Sequence, residues 1–383
     1  MRLSNADLVA LIAQRHALHQ TPDVSGDEAG TAAQIVTALQ ALGADEIVTG
    51  LGGHGVAALF QGAQSGPTVM FRAELDGLPI AERSDLPYRS IHAGKAHLCG
   101  HDGHMVLLLG LARQLARRRP ARGRVVLMFQ PAEEDGSGAR AVVQDPRYAA
   151  LRPDWAFAIH NWPGAALGQA RLAAGVVNCA SLGLRIMLEG KTAHAAEPEN
   201  GLSPAQAMAQ LMPALMALDR PGPLGQAYQR LTLTHATLGA QSFGIAPGAA
   251  EIWVTLRTTE DAQMAALQCR VVDLAQRHAA AFGLKISFAQ QDSFAASVND
   301  PEAVAHLERS LTALQIPFDA SGLPERASED FGVFGWGVTK SAMLFLGAGE
   351  TAAALHNPDY DFPDALIETG VAIFHHLARN ILG

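Results

Sequence analysis

Cysteine is scarce in this sequence, which has three in 383 residues. Cys99, Cys179 and Cys269 are widely separated and odd in number, which argues against a disulfide framework and fits a reducing compartment. Long apolar runs are missing too, since none approaches the ~20 residues of a membrane-spanning helix. Residues 1–7 favour an amphipathic helix over a secretory signal peptide. We therefore expect a cytoplasmic protein with no membrane partner.

Positive charge is also in short supply. Lys and Arg total 28 against 37 Asp and Glu, so the formal net charge is −9 and the pI is about 5.9. This balance argues against a nucleic-acid partner. One basic stretch, 113–124, falls at the predicted end of a helix, where cations stabilise the terminus. The chain is long enough, and at 49% hydrophobic residues apolar enough, to favour two domains with a sizeable core.

Hydrophobic patterning divides the chain into two kinds of structure. Up to about residue 177, continuous apolar strands are separated by helices, and the same order resumes after residue 301. This predicts an α/β fold with a mostly parallel sheet between helices on both faces. From about residue 178 the strands alternate apolar and polar residues, which predicts a smaller α+β domain with an antiparallel sheet and helices on one face.

The glycine-rich turn at 50–55 has the spacing of a dinucleotide-binding fingerprint. A true fingerprint opens a helix, whereas here a short apolar segment follows and stops at Gly62. We therefore predict a β-hairpin. A nicotinamide-dependent enzyme, which rests on this turn alone, remains an alternative that a titration with NAD would test.

Metal-binding side chains are concentrated in residues 97–104, which hold one thiol, three imidazoles and one carboxylate ahead of an apolar helix. Further candidates follow two apolar strands and lie in a late polar loop. The candidate ligands are Cys99, His101, Glu134, His160 and His356. One ion needs about four ligands, so five favour two ions that share a bridging ligand, for which the Cys99 thiolate is the natural candidate. Sulfur and imidazole donors favour Zn²⁺, Co²⁺, Ni²⁺ or Mn²⁺ over Mg²⁺ or Ca²⁺.

The acidic pair Glu133–Glu134 follows the strand predicted over 124–129. Adjacent side chains diverge in a tight turn, so one carboxylate can bind metal while the other serves as general base and then general acid. We interpret Asp76 and Asp102, with Glu74, as residues that orient the imidazoles rather than as ligands. We interpret His104, three residues after His101 on the same helix, as a hydrogen-bonded histidine of the core or behind the ligands, with a metal ligand as the alternative.

Seven motifs, in order and spread over nearly the whole chain, are similar to those of one enzyme family. They occupy residues 72–80, 99–104, 130–134, 159–161, 193–198, 328–331 and 355–358. With these motifs the chain resembles the co-catalytic metallohydrolases that include hippurate hydrolase, bacterial aminoacylases and plant hydrolases of indole-acetyl amino-acid conjugates.

The resemblance implies a catalytic domain of residues 1–177 and 292–383, interrupted by a lid and dimerisation domain of residues 178–291. It implies two divalent ions per chain, with the five ligands named above and Glu133 as the base. It also implies that His194 polarises the scissile carbonyl, often from the partner subunit of a homodimer. The expected reaction is hydrolysis of the amide bond of N-acyl amino acids, with a dipeptidase or carboxypeptidase of the same mechanism as the alternative.

Substrate selectivity is expected to come from the lid, in which the polar candidates for substrate binding are Asn178, His194 and Arg257. Arg257 can pair with a substrate carboxylate or form a surface ion pair with Glu260 or Asp261. Two positions depart from the family pattern: Glu74 replaces the usual aspartate, and Gly244 stands where relatives usually carry an asparagine. A ligand-binding protein without catalysis is disfavoured, because every expected ligand and the base are present.

Overall fold

The computed structural model describes residues 3–383 and divides into two compact units. The first unit contains residues up to 177 together with 297–323 and 330–383. The second contains 178–296 and 324–329. It therefore extends past 291, the predicted end of the inserted domain, because the strand that closes its sheet runs to Phe294. It also takes in a short segment far along the chain that no local pattern identifies.

Eight α-helices are present in the described residues: α1 Asn5–Gln20, α2 Ala29–Ala41, α3 His101–Arg117, α4 Gly138–Gln144, α5 Ala205–Met216, α6 Asp261–Ala281, α7 Pro301–Ala313 and α8 Leu366–Leu382. The same residues form sixteen strands: β1 Glu46–Leu51, β2 Gly55–Gln61, β3 Gln64–Glu74, β4 Arg122–Gln130, β5 Trp155–Pro163, β6 Ala170–Arg171, β7 Gly175–Asn178, β8 Ala180–Glu189, β9 Ala193–His194, β10 Gln229–Leu238, β11 Ile245–Ala246, β12 Ala249–Thr258, β13 Lys285–Phe294, β14 Ser297–Asn299, β15 Phe318–Asp319 and β16 Lys340–Gly349.

The first unit is built on an eight-stranded sheet in the order β1-β2-β4-β3-β5-β16-β6-β15. Its four central strands, β4, β3, β5 and β16, are parallel to one another. The hairpin β1–β2 adds two antiparallel strands at one side. The predicted α/β fold with a mostly parallel sheet is therefore confirmed, and the glycine-rich turn is a hairpin with no helix behind it.

Two hydrophobic clusters cover opposite faces of this sheet because successive side chains of a strand point to opposite sides. In β2, Ala58 and Phe60 pack with α1, α3, α7 and α8, whereas Ala57 and Leu59 pack on the side of α4. All four side chains are buried. The continuous apolar character of the strands, read from the sequence, follows from this burial on both faces.

The second unit has an antiparallel sheet in the order β10-β12-β8-β13. Helices α5 and α6 contribute apolar side chains to the same cluster as the strands, and Leu211 and Leu267 of these helices are fully buried there. The predicted α+β unit with an antiparallel sheet is thus confirmed. Among residues 3–383, no helix has both the length and the apolar character needed to cross a bilayer.

Candidate metal centre

The candidate ligands of the first unit meet at the carboxyl edge of its parallel strands. Glu134 lies in the turn after β4, His160 lies in β5, and His356 lies in the loop after β16. Cys99 and His101 lie at the start of α3. Because parallel strands end at the same edge of a sheet, residues from distant parts of the sequence come together there.

The start of α3 depends on one glycine. Gly100 precedes the helix with a φ of 91°, a left-handed conformation that favours glycine. A Cβ at this position would lie 1.8 Å from Oδ1 of Asn161. The same asparagine donates from Nδ2 to the carbonyl of Cys99 at 3.1 Å. Gly100 thus allows the chain to turn sharply between the two ligands Cys99 and His101.

The donor atoms are spaced as ligands of a small cation would be. Sγ of Cys99 is 3.6 Å from Nε2 of His160. Oε1 of Glu134 lies 3.8 Å from Nε2 of His101, and Oε2 of Glu134 lies 3.5 Å from Nε2 of His356. Transition-metal bonds of about 2.0–2.3 Å place neighbouring ligand atoms roughly 3–4 Å apart. Cys99 belongs to two donor groups, one with His101 and His160 and one with Glu134 and His356.

Hydrogen bonds fix the rings so that one nitrogen of each points into the site. Nδ1 of His101 lies 2.8 Å from the carbonyl of Asp76, and Nδ1 of His160 lies 2.8 Å from the carbonyl of Asn161. Nε2 of His101 is buried and makes no hydrogen bond to any residue that the structure describes. The Asp76 carboxylate accepts hydrogen bonds from the backbone of Glu134 and from the hydroxyl of Ser25, at 3.0 and 2.7 Å.

Glu133 is held in a strained turn. Its predecessor Ala132 has a φ of 48°, which is uncommon for a residue with a side chain. The buried carboxylate of Glu28 accepts the backbone N–H of Ala132 at 2.8 Å and that of Gly26 at 2.7 Å. Glu133 itself is 6% exposed, with Oε2 3.9 Å from Nε2 of His101. The carboxylate of Glu133 therefore lies beside the candidate ligands His101 and Glu134, in the same donor group.

Electrostatics favour a cation in this cluster. Burial alone lowers the pKa of His101, but the carboxylates of Glu74, Glu134 and Asp76 and the hydrogen bond to Asp76 outweigh it and raise that pKa to about 10. Burial, reinforced by His104, lowers the pKa of His160 to about 3, so this ring is neutral, whereas His101 would release its proton on binding a metal. Thiolate, imidazole and carboxylate donors at these separations fit a divalent transition metal.

His104 forms a donor group with Glu74 and His101, but both of its ring nitrogens are engaged in hydrogen bonds. Its Nδ1 lies 2.7 Å from Oε2 of Glu74, and its Nε2 accepts the backbone N–H of Asn161 at 3.2 Å. Glu74 is also bonded to the buried guanidinium of Arg72, whose Nη2 donates to Asp330 at 2.8 Å. The carboxylate of Glu74, the residue that departs from the family pattern, therefore has two buried partners, Arg72 and His104.

Asp102 does not orient a ligand imidazole through its side chain. Its Oδ2 accepts from Nη1 of Arg15 at 3.0 Å and lies 2.9 Å from Nδ1 of His19. Both partners belong to α1 and are fully buried. Although Asp102 follows His101 in sequence, successive side chains on a helix point in different directions, so its carboxylate faces α1 instead of the ligand rings.

The predicted residues His194, Asn178 and Arg257 all belong to the second unit. His194 lies exposed on β9, which pairs with β11, and its Nδ1 accepts the backbone N–H of Ala196 at 3.1 Å. Asn178 is buried, and its Oδ1 makes no hydrogen bond within residues 3–383. Gly244, one residue before β11, has no heavy atom within 4 Å of the position where a Cβ would lie.

Arg257 forms neither of the ion pairs considered from the sequence. Its Nη1 donates to the carbonyl of Arg326 at 3.0 Å and to Oγ of Ser328 at 2.9 Å. Neither acceptor could be found from local pattern, because both lie about seventy residues further along the chain. The alternative role, pairing with a substrate carboxylate, stays a prediction.

Sequence reasoning gave no role to three residues that hydrogen-bond at or next to the candidate ligands and base: Arg15, Glu28 and Asn161. Arg15 and Glu28 come from the first thirty residues, where they read as ordinary charged residues of surface helices. Their burial is the signal that identifies them, since Arg and Glu are almost never fully buried unless paired.

Comparisons of the sequence and of the structure with known proteins point to the same enzyme family. The profile described as peptidase family M20/M25/M40 matches residues 70–380. The chain is 32% identical over 379 residues to the N-acetyl-L-cysteine deacetylase of Bacillus subtilis, covering 97% of this chain and 88% of that protein. It is 29% identical to the hippurate hydrolase of Campylobacter jejuni, covering 96% and 95%. A crystal structure of a dinuclear metal-binding M20 peptidase from Bacillus subtilis matches with a TM-score of 0.81 and 25% identity, covering 99% of both chains.

Proposed function

This chain belongs to the peptidase family M20/M25/M40, and from its donor cluster we propose that it is a metal-dependent amidohydrolase that cleaves the amide bond of N-acyl amino acids. The observation that carries the proposal is the pair of donor groups sharing Cys99, with the carboxylate of Glu133 beside them. Relatives similar over nearly the whole chain are named for removing acyl groups from amino acids, which favours this substrate class over dipeptides.

We propose two divalent ions per chain, held by Cys99, His101, Glu134, His160 and His356, with Zn²⁺, Mn²⁺, Co²⁺ or Ni²⁺ as the candidates. The solved relative is a dinuclear metal-binding peptidase, which supports this number. When bound, such ions acidify water and polarise the scissile carbonyl. Their identity is left to metal analysis, since the donor set suits all four.

In this proposal Glu133 moves the proton. Its carboxylate accepts a proton from the water that attacks the scissile carbonyl carbon, and then gives it to the nitrogen of the leaving amine as the C–N bond breaks. The hydrogen bond from Ala132 to Glu28 fixes the backbone before Glu133, and so fixes where this carboxylate lies. Asp76 and Asn161 hold the rings of His101 and His160 through their backbone carbonyls.

A substrate panel tests the proposal. Purified protein is loaded separately with each of the four metals and assayed with hippurate, N-acetyl amino acids, their amides, and dipeptides. We expect hydrolysis of N-acyl amino acids, loss of activity on chelation, and about two ions per chain at full loading. Full activity in metal-free protein would contradict metal dependence, and faster cleavage of dipeptides would favour the peptidase alternative.

We further propose a cytoplasmic homodimer whose contacts lie in the lid, residues 178–291, with His194 acting on the scissile carbonyl from the partner subunit and Asn178 and Arg257 binding substrate. Exposed apolar side chains on the second unit, Phe243, Ile245 and Leu238, support an interface there. Mixing the inactive variants Glu133→Gln and His194→Ala under subunit exchange should restore partial activity. No recovery despite proven exchange would argue for action within one chain.

A further inference from the structure

A buried arginine joins three carboxylates in the first unit. Arg15 of α1 is fully buried. Its Nη1 donates to Asp102 at 3.0 Å and to Asp361 at 2.7 Å, and its Nε donates to Asp364 at 2.6 Å. We call these four residues the Arg15 cluster.

The carboxylates of the Arg15 cluster come from the two chain segments that carry most of the ligands. Asp102 is the second residue of α3, directly after His101. Asp361 and Asp364 follow His356 in the loop that leads to α8. The guanidinium of Arg15, which lies in α1, therefore connects the start of α3 to the loop that contains His356.

The late loop needs such a connection. His356 has a φ of 66°, a left-handed conformation that a residue with a side chain adopts only when its surroundings impose it. Half of its side chain is exposed, so packing alone does not hold it. Its backbone N–H donates to the carbonyl of Leu98 at 2.8 Å, which gives one attachment to the α3 side of the site. The buried side chains of Tyr360 and Phe362 pack the loop against the same side, and the Arg15 cluster adds a polar attachment.

Neighbouring groups fix the two loop carboxylates in the orientation that meets Arg15. The hydroxyl of Tyr88 donates to Oδ2 of Asp361 at 2.7 Å, and Nε2 of His16 lies 3.0 Å from Oδ2 of Asp364. Each carboxylate thus uses one oxygen for Arg15 and the other for a second partner. A planar guanidinium can serve several carboxylates at once, and a lysine ammonium cannot reproduce that arrangement.

We propose that Arg15 is a positioning residue for the metal centre: it holds the loop of His356 in register with the start of α3, and so sets the affinity of the ion that His356 binds. This inference rests on the proposed function, since it assumes the five-ligand centre. Groups that orient metal ligands from outside the centre typically change metal affinity by about 10–100-fold. The affinity for the other ion, which His356 does not bind, should change much less.

Metal titration tests this inference. Chelator-treated wild-type protein and the variants Arg15→Gln and Arg15→Lys are titrated with Zn²⁺ and, separately, Mn²⁺, with bound metal counted and affinity measured by calorimetry. We expect two bound ions for the wild type. We expect Arg15→Gln to weaken one of the two by about 10–100-fold, and Arg15→Lys to recover little of the loss. If Arg15→Gln does not fold, Asp361→Asn combined with Asp364→Asn removes only the loop side of the cluster and should give the same selective weakening.

A matched control lies on the same pair of helices. Arg117 of α3 donates to both oxygens of Asp7 of α1, at 2.8 and 2.6 Å, far along α3 from its ligand-bearing start. Arg117→Gln should lower thermal stability and leave both metal affinities unchanged. Equal weakening by Arg117→Gln, or unchanged affinities in every Arg15-cluster variant, would overturn the inference. Fewer than two ions in the wild type would instead contradict the proposed function.

Discussion

At the scale of single residues, the adjacent carboxylates of Glu133 and Glu134 have different surroundings. Oε1 of Glu134 lies 3.8 Å from Nε2 of His101 and its Oε2 lies 3.5 Å from Nε2 of His356, whereas Oε2 of Glu133 lies 3.9 Å from Nε2 of His101. The sequence could predict that the two would divide the work, because adjacent side chains in a turn diverge. Which one binds metal depends on the positions of the histidines, which only the folded chain sets.

The first prediction concerns Glu133→Gln. It should leave the metal content nearly unchanged and lower kcat by roughly 10²–10⁴, because the amide cannot accept the proton while no ligand is lost. Metal analysis and steady-state kinetics on the same preparation check this. Loss of metal in this variant, with metal retained in Glu134→Gln, would mean that the two roles are exchanged.

A second prediction concerns Glu28, which supports the turn before Glu133. Glu28→Ala leaves the buried N–H of Ala132 without its acceptor, which should cost about 1–3 kcal/mol of the free energy of unfolding and also lower kcat. Glu28→Gln keeps an accepting oxygen and should recover much of both. Chemical denaturation and kinetics of the two variants check this. Equal kcat in the wild type and Glu28→Ala would show that the turn does not need this support.

At the scale of elements, the start of α3 determines the distance between two ligands. The sequence predicts a tight turn there from its glycines, and the structure identifies what the turn avoids: Oδ1 of Asn161, which lies where a Cβ of Gly100 would be. The partner was not predictable, because Asn161 belongs to β5, sixty residues away. Patterns along one element predict its type, whereas its neighbours depend on how the sheet is assembled.

Gly100→Ala should therefore lower both stability and metal affinity. The substitution carries the strain of a positive φ, on the order of 1 kcal/mol, and also displaces Asn161, which bonds to the carbonyl of Cys99. Gly94→Ala is the matched control, since Gly94 has a φ of 75° and open space around its Cβ position. The Gly94→Ala variant should unfold at a lower temperature than the wild type and keep the wild-type metal affinity. Thermal unfolding and metal titration of both variants separate strain from displacement.

At the scale of the whole molecule, the fold class followed from hydrophobic patterning. A strand that is buried on both faces is continuously apolar, whereas a strand that is buried on one face alternates apolar and polar residues. The buried charged residues near the centre did not follow. Arg15 and Glu28 each make contacts with residues more than eighty positions away. A charged residue in a helix reads as exposed until its partners are known.

The pH dependence of stability provides a prediction at this scale. Burial, reinforced by the nearby charge of Glu329, raises the pKa of Glu325 from 4.5 to about 6. The folded state thus favours the protonated carboxyl. The resulting stabilisation is present below pH 4.5 and is lost as pH rises through 6, a change of up to about 2 kcal/mol.

Glu325→Gln should remove this pH dependence. The free energy of unfolding of the variant, relative to the wild type, should rise by up to about 2 kcal/mol between pH 4.5 and 7.5. Denaturant titrations of the wild type and the variant at several pH values check this. A constant difference between variant and wild type would contradict the shifted pKa.

The position of β16 in the sheet has a consequence for biosynthesis. This strand lies between β5 and β6 but is encoded after the whole inserted unit. At roughly 5–20 residues per second, a ribosome needs about 10–40 s to pass from the end of β5 to the end of β16. During that interval one edge of β5 lacks its strand, and such an edge can pair with another nascent chain. Because His356 follows β16, the last candidate ligand leaves the ribosome only after the strand that covers that edge.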